Sequence, residues 1–128
     1  MMNGNLMLKL LDKKYAVCSL DKDEVIPQNL IEGDFFSFTK TEDELSIVCL
    51  EENITENIKY EGGWRVLKIE GPLDFSLVGI LSKISSLMAG SNISIFAIST
   101  YDTDYILIKE SNINRAIEVL RKNNYNII

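Results

Sequence analysis

A chain of 128 residues is long enough for one compact domain or two small modules, and at that size neither a disulfide nor a metal is needed for stability. Its 46% hydrophobic and 25% charged residues are the balance of a folded globule, which excludes a disordered or fibrous chain. Nineteen acidic against thirteen basic residues give a formal net charge of -6, which repels phosphate backbones and argues against nucleic acid as a partner.

Leu6 to Leu11 and Tyr15 to Leu20 are apolar-rich runs joined by the charged turn Asp12, Lys13, Lys14, which predicts a hairpin. No apolar run reaches the roughly 20 residues that span a bilayer, and Asn3, Asn5 and Lys9 interrupt the stretch from Met1 to Leu11. Neither a membrane span nor a secretory signal is expected, and the expected location is the cytoplasm.

Pro27 limits any helix to about one turn near Pro27 to Ile31. Phe35 to Thr39 and Leu45 to Leu50 follow as strands rich in Phe, Thr, Ile and Val, linked by Thr41, Glu42, Asp43, Glu44 as a capped turn. The stretch Glu51 to Gly63, acidic and ending in two glycines, reads as a break between modules. The expected division is 1–60, strand-rich with little helix, and 61–128.

Trp64 to Glu70 alternates as a strand, and Gly71, Pro72 punctuate its end. Leu77, Ile80, Leu81, Ile84, Leu87 and Met88 fall at helical spacing, with Asp74 expected as the N-cap and Gly90 as the stop. Gly79 then lies inside a helix, where close approach of a neighbour or tolerated weakness would explain it. Ile93 to Ser99 and Tyr105 to Ile108 are strands around the polar turn Thr100 to Asp104. Ser111 can cap a second helix with Ile113, Ala116, Ile117 and Leu120 on its apolar face; Asn123 and Asn124 end it, and Tyr125 to Ile128 return as a strand. The order from Trp64 is β-α-β-β-α-β, an α+β, ferredoxin-like arrangement in which two helices cover one face of an antiparallel sheet.

Histidine is absent, which removes the commonest general base and metal ligand, and no nucleophile-plus-base motif takes its place. No enzyme activity, metal or cofactor is expected. Cys18 and Cys49 each sit in a strand-like apolar run and read as reduced core residues, with a redox or cross-linking role as the alternative.

The run Gly63-Trp64-Arg65-Val66-Leu67-Lys68-Ile69-Glu70-Gly71-Pro72-Leu73-Asp74-Phe75 and the run Ile95-Phe96-Ala97-Ile98-Ser99-Thr100-Tyr101-Asp102-Thr103-Asp104-Tyr105 resemble small bacterial ACT domain-containing proteins, relatives of the cytosolic arginine sensor family. Phe35 to Thr39 and Thr41 to Cys49 fit the N-terminal half of the same family. The resemblance implies two tandem ferredoxin-like ACT modules and a regulatory, ligand-binding role, often as a dimer, with the effector near the first strand-to-helix loop. The arginine sensor carries four ACT-like units, and this chain has room for about two.

Two segments carry the chemistry expected of such a site. Gly71, Pro72, Leu73, Asp74 and Phe75 stand between a strand end and a helix start, where free N–H groups suit a carboxylate; the alternative is a plain turn with Asp74 as cap. Ser99, Thr100, Tyr101, Asp102, Thr103 and Asp104 are dense in hydroxyls and carboxylates, suited to an ammonium or guanidinium group; the alternative is a solvated hairpin with local turn bonds. Trp64 is expected to pack against a partner sheet or the N-terminal module. The expected function is a non-enzymatic ACT-domain regulatory protein that binds a free amino acid at a module interface, as a homodimer. The alternatives are an interaction or dimerisation module with no small-molecule ligand, and a small enzyme using Asp74, Asp102 and Asp104.

Overall fold

The computed structural model describes residues 6–55, 57–70 and 79–128. The chain folds as two compact units, one of residues 1–12 with 65–128, the other of residues 13–64.

The first unit is built on β1 (Met7–Leu10), the second half of β5 (Lys59–Ile69), α1 (Ile80–Gly90), β6 (Phe96–Ser99), β7 (Asp104–Lys109), α2 (Glu110–Lys122) and β8 (Asn126–Ile127). From β5 onward this is the β-α-β-β-α-β order of a ferredoxin-like module, as the periodicity predicts. The sheet order is β6-β7-β5-β1-β8. The N-terminal strand has therefore entered the sheet between β5 and β8. It runs antiparallel to β5, with Leu8 opposite Ile69 and Leu10 opposite Leu67, and parallel to β8, with Leu8 opposite Ile127.

That pairing replaces the hairpin expected of Leu6–Leu11 with Tyr15–Leu20. The charged Asp12-Lys13-Lys14 turns the chain, but the two runs find different neighbours.

Alternation along β5 puts Leu67 and Ile69 on the face that meets Ile84 and Met88 of α1 and Ile113, Ala116 and Leu120 of α2, and Leu8, Ile106 and Ile108 complete this core. Burial of each such side chain stabilises the fold by about 1.5–3 kcal/mol. Both helices end in the same way. Asn92 and Asn124 take positive φ (60° and 72°); the next N–H groups, of Ile93 and Tyr125, donate five residues back to the carbonyls of Met88 and Leu120; and Ile93 and Tyr125 are themselves buried.

The helix starts differ from the sequence expectation. The N-cap of α1 is Gly79, at φ 82° and with no side-chain cap bond; Asp74, expected in that role, lies outside the described residues. Gly79 is thus a left-handed entry to the helix rather than a weak point inside it, and no described neighbour lies within 4 Å of an added Cβ. α2 follows β7 directly, capped at Lys109 and not at Ser111, with Glu110 at its positive end and Arg121 and Lys122 at its negative end.

The second unit is a sheet of β3 (Ser37–Lys40), β4 (Leu45–Leu50), β2 (Tyr15–Leu20) and the first half of β5, in that order. Its helical content, among the described residues, is two 3-10 turns, Gln28–Ile31 and Glu51–Asn53. Leu30, from the turn that Pro27 opens, closes over Cys18, Leu20, Leu45, Ile47 and Cys49. The turn before β4 is capped as expected: Thr41 Oγ1 accepts from the N–H groups of Asp43 and Glu44, both at 3.1 Å.

Gly62 and Gly63, expected from sequence to belong to a break, lie inside β5. The register against β2 slips there, from Tyr15 opposite Trp64 to Val17 opposite Glu61. Gly63 supplies the positive φ of a bulge (77°), and its N–H donates to Glu51 Oε1 at 2.8 Å. A Cβ on Gly62 would come within 2.7 Å of the same carboxylate oxygen.

Candidate functional site

The candidate turn closes on itself through its hydroxyl groups. The N–H and Oγ1 of Thr100 both donate to the Thr103 carbonyl, at 2.8 and 3.1 Å, and Thr103 N–H donates to Thr100 Oγ1 at 3.2 Å. Thr100, one of the expected ligand groups, is therefore spent on holding the turn. Ser99 and Asp104 sit opposite each other across the β6–β7 ladder. Tyr101 and Asp102 are exposed at the tip, Tyr101 to 83%.

Thr103 does what the sequence did not assign to it. It is buried, and its hydroxyl donates to the carbonyl of Ile69, the last residue of β5. With β7 beside β5 in the sheet, this bond fastens the base of the turn to the end of the strand that leads into Gly71. The signal available in sequence was one more threonine in a polar turn, and nothing in it marked Thr103 as the anchor.

The other candidate segment, Gly71, Pro72, Leu73, Asp74 and Phe75, lies outside the described residues. The described residues nearest to it in sequence are the end of β5 on one side and the start of α1 on the other. Glu70 is half-buried, its carboxylate 3.6 Å from Lys68 Nζ, and its N–H donates to the Met7 carbonyl at 2.9 Å. On the far side α1 opens at Gly79 and Ile80. The turn and the exit of β5 share one end of the sheet, and the arrangement provides two carboxylates, Asp102 and Asp104, that form no ion pair among the described residues. Carboxylates so placed can receive a cationic group by charge-assisted hydrogen bonds.

The first unit also carries a groove of about 570 Å³ along the second half of α2, lined by Leu10, Asn114, Ile117, Glu118, Arg121, Ile127 and others. Leu10 pairs with Leu67 while Leu8 pairs with Ile69, so the groove lies toward the opposite end of the sheet from the Thr100–Thr103 turn. Helical periodicity assigned Ile117 to the core, and this hid the groove. Arg121 spans one side of it by donating to the Ile127 carbonyl at 3.3 Å. Trp64, expected at a packing surface, is 8% exposed in the single chain. No group of three or more His, Cys, Asp or Glu side chains among the described residues could hold a metal ion.

The profile of the ACT domain matches residues 59–122, and a profile of an N-terminal domain matches residues 13–57. The human cytosolic arginine sensor for mTORC1, subunit 1, is 40% identical over 60 residues, 46% of this chain and 18% of that protein. The mouse sensor is 30% identical over 96 residues, 69% of this chain and 29% of that protein. The chain thus spans less than a third of the length of these curated relatives. A crystal structure of an Agobacterium tumefaciens protein superposes with a TM-score of 0.91 at 32% identity, over 97% of this chain and 92% of that one. The regulatory subunit of aspartate kinase from Thermus thermophilus shares the fold, with a TM-score of 0.63 at 12% identity over 88% of this chain and 93% of that one. The β-α-β-β-α-β run that periodicity predicted, the matched profile over that run and the Agobacterium relative along almost the whole chain agree, and the protein belongs to the ACT domain family.

Proposed function

We propose that this chain is a non-enzymatic, cytoplasmic regulatory protein that binds a free amino acid and acts as a homodimer. Asp104, with Asp102 beside it, takes the ligand's cationic group. The segment Gly71 to Phe75, with the uncapped start of α1, takes its carboxylate.

The observation that carries this reading is the Thr103–Ile69 hydrogen bond. It holds an acidic turn against the strand exit that feeds the other candidate segment, in a chain whose family membership and likeness to an arginine sensor favour an amino-acid effector. β6 and β8 end the first unit's sheet among the described residues, an arrangement that favours a dimer. Light scattering at tens of micromolar is expected to give twice the mass of the chain.

The test of the ligand is a thermal-shift panel of the twenty amino acids at millimolar concentration. A ligand at about 100 times its dissociation constant stabilises the native state by about 2.7 kcal/mol, which moves Tm by several degrees. Asp104→Ala is expected to weaken that ligand about tenfold or more and to leave the apo Tm nearly unchanged. A flat panel would replace the effector reading with that of an interaction module without a small-molecule ligand.

A further inference from the structure

Cys18 on β2 and Cys49 on β4 point to the same face of the second unit's sheet. The register sets Cys18 opposite Ile47 and Cys49 opposite Ala16, so the two are diagonal neighbours. Their sulfurs are 3.8 Å apart. They are the only cysteines of the chain, and both are buried, at 1% and 0% exposure, among Leu20, Leu30, Leu45 and Ile47. We infer that Cys18 and Cys49 form an oxidative modification site, a thiol pair that a peroxide closes into a disulfide joining β2 to β4.

The pairing is built in rather than accidental to two core residues. Each thiol has an apolar shell, and the other sulfur is its hydrogen-bonding neighbour. Contact between the two sulfurs favours ionisation of one thiol and, together with burial, opposes ionisation of the other, so that one sulfur attacks and the other resolves.

In the first step one thiolate, that of Cys18 for instance, attacks one peroxide oxygen. The O–O bond breaks, the other oxygen leaves as hydroxide and takes up a proton to become water, and Cys18 becomes a sulfenic acid. In the second, the Cys49 sulfur attacks the Cys18 sulfur. The S–O bond breaks, the S–S bond forms, and a second water leaves with the Cys49 proton. The two thiols lose two electrons and two protons in all, and one peroxide is reduced to two waters. Bonding brings the sulfurs from 3.8 Å to about 2.0 Å, and because diagonal neighbours on antiparallel strands stand roughly 7–8 Å apart it also draws β2 and β4 toward each other. Peroxide reaches the buried pair when the unit opens locally.

The experiment treats the full chain with hydrogen peroxide, then denatures it in excess N-ethylmaleimide and measures the intact mass and the peptide map. The expected product is two hydrogens lighter, carries no maleimide, remains a single chain on a non-reducing gel and yields a linked Cys18–Cys49 peptide. Its Tm is expected to rise by several degrees and to return on adding dithiothreitol, because a link across 31 positions restricts the unfolded chain. Two maleimides per chain after prolonged exposure, sulfinic acid at Cys18, or cross-links between chains would overturn the inference. Cys49→Ser is expected to stop at a Cys18 sulfenic acid that dimedone captures; if that variant does not fold, the wild-type mass decides.

Discussion

Thr103 shows how a single hydroxyl can set the position of a candidate binding turn. Its side chain is buried and its only described acceptor outside the turn is the Ile69 carbonyl. Thr103→Val keeps the shape but removes the hydroxyl that bonds that carbonyl, so unfolding in urea is expected to show a loss of about 0.5–1.5 kcal/mol. If an amino-acid ligand is found, the same variant is expected to weaken it although Thr103 does not touch it, because Asp102 and Asp104 would lose their fixed base. Gly63 and Glu51 make a similar point about legibility. Two adjacent glycines are a valid signal of irregular backbone, but the sequence does not say whether the irregularity is a break or a bulge. The carboxylate that accepts the Gly63 N–H comes from twelve positions upstream, and no local pattern could link the two.

At the level of elements, the parts set by local period were the parts legible in advance. Leu45–Leu50 follows from its strand-forming composition and the two helices' apolar faces from 3.6-residue spacing, both of which depend only on neighbours in sequence. Helix starts were less legible. Ser111 has the chemistry of a cap, yet α2 opens on Lys109, because a cap preference of about 1 kcal/mol yields to how the chain enters directly from β7. The helix ends were legible in part, since Asn123 and Asn124 belong to the few residues that stop a helix cheaply. Asn124 holds φ at 72° so that Tyr125 can bond back to Leu120 and bury its ring. Asn124→Ala is expected to cost about 1 kcal/mol by thermal denaturation, and Asn124→Gly to cost nothing or to stabilise slightly.

For the whole molecule, the least legible feature was the choice of strand partners. Leu6–Leu11 reads correctly as a strand, but its neighbours lie roughly sixty and one hundred and twenty positions away, and pairing over such distances leaves no periodic mark. Leu8 sits at the centre of that arrangement, with 0% exposure and with Ile69 and Ile127 on either side. Leu8→Ala is expected to destabilise the chain by about 2–5 kcal/mol in chemical denaturation, more than a residue so near an unanchored end would cost. The inserted strand also bears on how the protein is made. On the ribosome β1 emerges ahead of both its partners: β5 completes its first ladder only after residues 13–64 have been synthesised, and β8 its second only after residues 70–125. At ~5–20 residues per second that is a wait of several seconds. During it the second unit can already fold, while an apolar strand with both edges open depends on whatever holds nascent chains apart from one another.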